Sequence, residues 1–368
     1  MKFKLHQSNF LEALSAVQSV VSSHATVIAD HLPILSNVLI EAKGEDLTFT
    51  TTDQDLTTRF TCKAEIAEEG AITLPVKRLL SIVRVLSNQI VEIASDPKQE
   101  NVVRMTCGSY RGKFVSIDAR DFPPIVEPEG TAFKLPQAAF KEMLRKTSYA
   151  AATDDSRPTL TGVLLSFADG KATAVATDSR RLALFWTEVE FPPDNAKDIV
   201  LPARTVSELL RSLGDEGDVR VSIGSQVIFE YGPHFLSSKL MGGTYPDYKR
   251  ILFANCDNKI KVNREELLAV LRRINVSTTP TTNAMRLNFE NNLLTITVNS
   301  SVEEDATDTV TIKYDGPPLA AVFNPEFMME PLKNLTSDEV TIELNNSTSP
   351  GLIKDDTTFL YVIMPLRI

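Results

Sequence analysis

The sequence predicts an α+β protein made of three tandem copies of one domain, each with two helices on antiparallel sheet. Three signatures returning in the same order carry that expectation. The first reads FKLHQSNFLEALSAV from Phe3, FKLPQAAFKEMLRKT from Phe133 and IKVNREELLAVLRRI from Ile260, spaced by 130 and 127 residues. The second reads ITLPVKRLLSIVRVL from Ile72, IVLPARTVSELLRSL from Ile199 and AVFNPEFMMEPLKNL from Ala321, spaced by 127 and 122 residues. The third is an alternating strand: LTFTTTDQDL near Asp53, ATAVATDSRRL near Asp178 and LTITVNSSVE near Asn299. Recurrence of this kind marks one fold used repeatedly. The expected domains are 1–127, 128–254 and 255–368.

Within each copy the order of elements follows from periodicity. A short strand opens the repeat, and a helix follows whose apolar residues recur at helical spacing. These are Phe10, Leu11, Leu14 and Val17 in the first copy, Phe140, Met143 and Leu144 in the second, and Leu267, Leu268 and Leu271 in the third. Asn263 with Glu266 forms a capping-box pattern at the start of the third. Alternating strands come next, such as those starting at Leu47 and Leu293. A strand ending in Leu74-Pro75 or Leu201-Pro202 leads into the second helix, where a proline near the start costs little because its missing N–H has no partner there anyway. Strands near Phe122, Tyr245 and Tyr361 close the repeats. The turn-rich EPEGT at 127–131 and the aperiodic LFANCDN at 252–258 mark the boundaries.

Composition sets limits. Hydrophobic content of 43% over 368 residues supplies a core for each of three domains. The net charge is −10 and the pI about 5.1. An acidic balance argues against phosphate binding unless the cations are segregated. Cys62, Cys107 and Cys256 form no CxxC, so neither a disulfide framework nor a zinc site is expected. The opening MKFKLHQSNF lacks the apolar run of a signal peptide, and no stretch approaches membrane-spanning length. A cytoplasmic protein with no membrane association is expected.

Catalytic signatures are absent. The sequence has no GxxxxGK[ST], no GxGxxG after a strand, no HExxH and no GxSxG. His6, His24, His31 and His234 occupy non-equivalent repeat positions. Asp53 and Asp178 are equivalent, but Asn299 holds the third position, and turn formation explains Asp and Asn alike. No enzyme, metal or cofactor is expected.

HLPIL near Leu32, ATDSRRLA from Ala176, YPDYKRIL from Tyr245 and the terminal YVIMPLRI, with MKF at the start, closely resemble the bacterial DNA sliding clamp, the β subunit of the replicative DNA polymerase III. The resemblance covers the whole chain. It implies a ring-forming clamp fold: a head-to-tail homodimer of six similar domains that encircles duplex DNA without sequence preference. Such a ring would tether the replicative polymerase, the clamp loader and other proteins that carry clamp-binding peptides.

Physical arguments stand beside the resemblance. Two copies would supply twelve helices. Lining a ring at about 9 Å spacing, they would leave an opening of roughly 20–25 Å, about the breadth of a duplex. The repeat helices carry Lys77 and Arg84, Arg145 and Lys146, Arg204 and Arg211, Arg272 and Arg273, and Lys333. Lys77/Arg84 and Arg204/Arg211 share a seven-residue spacing on equivalent helices, which places each pair on one face. These cations are the expected DNA lining, and an acidic exterior around them would reconcile the net charge with phosphate contact. The competing readings are a site between repeats, which would need convergent polar groups in one repeat, and a protein-only ring.

The resemblance further implies an apolar cleft for partner peptides. Its residues here would be Leu160, Thr177, Ser179, Arg180, Arg181 and Leu182, then Pro246, Arg250 and Ile251. Val362, Ile363, Met364, Pro365, Leu366, Arg367 and Ile368 complete it. Arg181, Arg250 and Arg367 would hold peptide carboxylates or carbonyls. Ser179 and Arg180 depart from the commoner ATDGHRLA, which alters the cleft beside them. The dimer contact would use Phe114 in the first domain and the segment around Arg272 to Val276 in the third.

Overall fold

The computed structural model describes residues 1–21, 32–154, 156–252, 256–277, 283–299, 305–355 and 358–367. His24, His31, the break at 254/255 and Ile368 lie outside the described residues, as does part of the LFANCDN segment.

The first repeat runs β1 (Lys2–His6), α1 (Gln7–Val17), β2 (Asn37–Lys43), β3 (Asp46–Thr52), β4 (Leu56–Lys63) and β5 (Glu65–Glu68). It continues with β6 (Gly70–Pro75), α2 (Val76–Val85), β7 (Ile90–Ser95), β8 (Val102–Cys107) and β9 (Tyr110–Val115). The second runs β10 (Phe133–Pro136), α3 (Gln137–Thr147), β11 (Gly162–Ala168), β12 (Lys171–Thr177) and β13 (Arg181–Glu188). After these come β14 (Asp198–Pro202), α4 (Ala203–Ser212), β15 (Asp218–Ile223), β16 (Val227–Tyr231) and β17 (His234–Ser238). The third has β18 (Asn258–Asn263), α5 (Arg264–Val276), β19 (Met285–Glu290), β20 (Leu293–Asn299) and β21 (Asp305–Lys313). It ends with β22 (Leu319–Phe323), α6 (Pro325–Asn334), β23 (Glu339–Leu344), β24 (Gly351–Lys354) and β25 (Phe359–Ile363). Apart from β5, and a short helix at Lys249–Leu252 that follows β17, the three repeats match in their strands and in their two long helices.

The chain forms two compact units, residues 1–138 with 211–240 and residues 139–210 with 241–368. The first unit holds a five-stranded sheet, β5-β1-β7-β8-β9, and an eight-stranded sheet, β10-β15-β16-β17-β4-β3-β2-β6. The second holds one twelve-stranded sheet, β14-β11-β12-β13-β25-β24-β23-β18-β21-β20-β19-β22. Compact units therefore do not coincide with repeats. Each repeat builds two half-sheets, and a half-sheet of one repeat continues edge to edge into a half-sheet of the next, so hydrogen bonding carries the second repeat into both units.

Amphipathic helices close the cores. In the first repeat Phe10, Leu14 and Val17 of α1 pack with Val76, Leu79, Leu80 and Val83 of α2, and with Phe3, Ile40, Phe49 and Ile93 of the strands. Burying each such side chain contributes about 1.5–3 kcal/mol. Pro75 ends β6 and stands at the N-cap of α2, and Asn263 Oδ1 accepts the Glu266 N–H (3.0 Å) at the start of α5. Phe122 is not in a strand. It packs with Ile34, Leu35 and Leu39 in a separate small cluster, because β9 has already ended at Val115. No regular element spans 123–132.

Asp53 and Asp178 are turn residues. Asp53 Oδ1 accepts the N–H groups of Asp55 (3.0 Å) and Leu56 (2.8 Å), and Asp178 Oδ1 accepts those of Arg180 (2.8 Å) and Arg181 (2.9 Å). Gln54 and Ser179, one residue on, have φ of 78° and 77°. The two aspartates stabilise the same left-handed turn before β4 and β13.

Candidate functional site

The helices turn their apolar stripes to the cores, which leaves several cations to solvent. On α2, Lys77 and Arg84 are exposed opposite Val76, Leu80 and Val83. On α5, Arg272 and Arg273 are exposed behind Leu268, Leu271 and Ile274, with Arg273 Nε 2.7 Å from Asp308 Oδ2. On α6, Lys333 is exposed and pairs with Glu330 (2.9 Å) one turn back. Surface pairs of this kind are worth about 0–1 kcal/mol, so phosphates can compete for either cation. Arg145 and Arg204 are half-buried. Arg145 borders a cavity whose walls include Tyr149, Ser207, Glu330 and Asn334.

Two cations do not fit the phosphate-lining expectation. Lys146 is buried, its side chain only 6% exposed, with Nζ 2.9 Å from Glu142 and 3.3 Å from Asp355. It also lies over the Phe185 ring. Adjacent helix residues point 100° apart, and here that turn carries Lys146 onto Asp355 and Phe185 while Arg145 stays half-exposed. Arg211 donates to the carbonyls of Ser15 (3.2 Å) and Ala16 (2.8 Å) and to Ser19 Oγ (3.1 Å), which clamps the C-terminal end of α1. Phe114 needs a further correction. It is 4% exposed and belongs to the first repeat's core, because alternation along β9 turns it inward and leaves Val115 outward. Its side chain leaves little surface for a partner. Val276 is exposed.

The cleft residues divide into floor and rim. Leu160, Thr177, Leu182, Val362 and Ile363 are buried. β13 and β25 pair antiparallel with Leu182 opposite Val362 and Arg181 opposite Ile363. Leu182 and Val362 share a cluster with Leu164, Val175, Tyr248 and Leu352, flanked by Met241 and Tyr245. Beside the expected Pro246, Tyr245 and Tyr248 of the YPDYKRIL motif belong to this floor, and no local spacing singles them out. Burial pushes the phenols of both tyrosines up, so they stay neutral donors. Ser179, Arg180, Pro246, Arg250, Ile251, Met364, Leu366 and Arg367 are exposed, and Pro365 is half-buried. The tail beyond β25 is pinned by its backbone, Met364 N–H to Arg180 O (2.9 Å) and Leu366 N–H to Val322 O (2.8 Å). That pinning leaves the Met364 and Leu366 side chains outward.

Arg181 departs from its expected role of holding a peptide. Its Nε lies 3.0 Å from Asp178 Oδ2, its Nη2 donates to Tyr149 O (2.7 Å), and its guanidinium stacks 4.2 Å from the Phe327 ring centroid. All of that anchors the turn before β13. Arg250 keeps most of its surface while pairing with Asp247 (2.9 Å).

Comparison with known proteins accounts for the whole chain. Residues 1–126, 134–247 and 249–367 match the family models for the N-terminal, central and C-terminal domains of the DNA polymerase III beta subunit. The chain is 31% identical to the beta sliding clamp of Chlamydia pneumoniae over 100% of this chain and 99% of that protein. It is 30% identical to that of Pseudomonas aeruginosa, with both chains covered completely. A Pseudomonas aeruginosa sliding clamp bound to griselimycin superposes with a TM-score of 0.94 at 30% identity, covering all of both chains. The Bacillus subtilis clamp gives 0.94 at 26% identity, covering 100% and 99%. The chain belongs to the DNA polymerase III β-subunit family of bacterial sliding clamps.

Proposed function

We propose that this chain is a DNA sliding clamp: a head-to-tail homodimeric ring around duplex DNA that holds the replicative polymerase on its template. It is a non-catalytic processivity factor that needs no sequence readout. One structural observation carries the reading most strongly. The same edge-to-edge joint occurs twice, β17 on β4 with His234 opposite Phe60, and β25 on β13 with Phe359 opposite Phe185. Phe60 and Phe185 each lie seven residues beyond the equivalent Asp53 and Asp178, so the register is the same. A joint of this kind leaves two unmatched edges at the ends of the series, β9 and the 305–311 stretch of β21. β21 pairs with β18 only at Ile312 and Lys313, and two copies can satisfy both edges by a heterologous contact that closes.

Phosphate contact without base contact gives no preferred register, which is what sliding needs. Lys77, Arg145, Arg204, Arg272, Arg273 and Lys333 are our candidates for it. The rim of Ile251, Met364 and Leu366 over the Leu182–Val362 floor is our candidate for partner peptides, supported by the griselimycin-bound relatives. We assign the domains as 1–127, 128–254 and 255–368, and the protein to the cytoplasm. Among the described residues no helix is long and apolar enough to cross a membrane. Loading onto nicked circular DNA tests the function. The clamp should remain on the circle through gel filtration and leave when the circle is cut, whereas a protein-only ring would never be retained.

A further inference from the structure

Within the first unit, Arg211 is bonded to the last turn of α1. Arg211 bonds the carbonyls of Ser15 and Ala16 together with Ser19 Oγ. Carbonyls in a last helical turn lack intrahelical partners, and a cation there also meets the negative end of the helix. A guanidinium fork can reach two such oxygens at once.

The repeat transfers this contact to other residues. Arg84 on α2 holds the place of Arg211 on α4, 127 residues earlier, and Val85 holds that of Ser212. On α5, Arg272, Arg273 and Val276 hold the places of Ser15, Ala16 and Ser19 on α1, 257 residues later. Arg84 is exposed, and Val85 and Val276 are 81% and 84% exposed, the highest values among the large apolar side chains described. Val276 holds the place of Ser19, which Arg211 bonds, and Val85 follows Arg84 as Ser212 follows Arg211, so two bare valines flank the transferred contact and offer apolar surface to a partner. The neighbouring Arg273 side chain is held by Asp308, which offsets its charge at that helix end.

We propose that Arg84 caps the C-terminal carbonyls of α5 in a second copy of this chain, with Val85 packed against Val276. The inference rests on the homodimer reading above and takes Arg84 out of the DNA lining. The shared register places β9 against β21 with Tyr110 opposite Asp308 and Arg111 opposite Thr307.

Cysteine pairing under mild oxidation tests it. The Val85→Cys/Val276→Cys protein should give a covalent dimer that neither single variant gives, with Cys62, Cys107 and Cys256 as the shared background. Arg84→Ala should raise the dimer dissociation constant about tenfold or more, the scale of a hydrogen-bonded charge lost from an interface. Arg84→Lys should not restore it, since an ammonium cannot fork, and the salt slope of DNA binding should stay unchanged. A protein that sediments as a dimer but gives no cross-link overturns this contact and leaves the dimer standing. A wild-type protein that sediments as a monomer at micromolar concentration overturns the homodimer reading and this inference with it.

Discussion

Lys146 Nζ lies 3.3 Å from Asp355 Oδ2, joining a helix of the second repeat to the segment before β25 of the third. The same amine sits 4.7 Å from the centre of the Phe185 ring on β13. A helix cation is thereby used to brace the β13–β25 joint.

Lys146→Ala should therefore destabilise the protein and leave DNA binding alone. Removing one partner of a fully buried pair costs roughly 3–5 kcal/mol. Asp355 retains some solvent, so a loss of about 2–3 kcal/mol is expected. Urea unfolding would measure it, and a salt titration of duplex binding should keep its slope.

Replacing Lys77 and Arg272 together by Ala should have the opposite profile. Exposed helix positions contribute little to folding, whereas each lost phosphate contact lowers the salt slope of duplex affinity by about 0.9. Changing the DNA sequence should alter neither protein's affinity. An unchanged slope would remove these residues from the lining.

Deleting residues 364–368 should abolish peptide capture while β25 stays in place, because Val362 and Ile363 are buried in the sheet. The described part of the tail contributes the two backbone hydrogen bonds from Met364 and Leu366, worth about 0.5–1.5 kcal/mol each. Calorimetry with a polymerase-derived peptide should show no binding, beside a modest fall in Tm. Normal binding by the truncated protein would place the peptide site elsewhere.

His234 predicts an acid-sensitive first unit. Its ring stacks on Tyr231 and meets Phe60 edge-on across the β17–β4 joint. Burial, and then Arg211, lowers its pKa from the ordinary 6.5. The folded state thus favours the neutral ring, so this contribution is complete above pH 6.5 and is lost as pH falls from there toward the lowered value. Measured from pH 7.5 to 5, wild type should lose stability relative to His234→Phe on acidification. Parallel curves would show that the histidine does not titrate there.

Where some side chains lie depends on packing that a local pattern does not carry. Phe114 reads as an edge-strand residue, and β9 is an edge strand, but strand alternation sends its ring into the core formed by Phe3, Ile93 and Val103. Arg211 reads as the twin of Arg84, and only the neighbouring α1 reveals that its guanidinium has acceptors. The aspartates before β4 and β13 were legible as turn formers because that bond is local, within three residues.

Spacing along the chain was enough to give the threefold repeat, the element order within it and the apolar faces of α1, α3 and α5, and residue motifs gave the absence of catalytic signatures. Periodic backbone geometry converts such spacing directly into a shared face. Tertiary structure alone decided that half-sheets of successive repeats merge, so that compact units cut across the second repeat. It also decided that Lys146 is buried in an ion pair and that Arg211, though exposed, is bonded to α1, each to a partner about 200 residues away in the chain. Burial and pairing depend on what a distant segment brings alongside, and no local pattern encodes that neighbour.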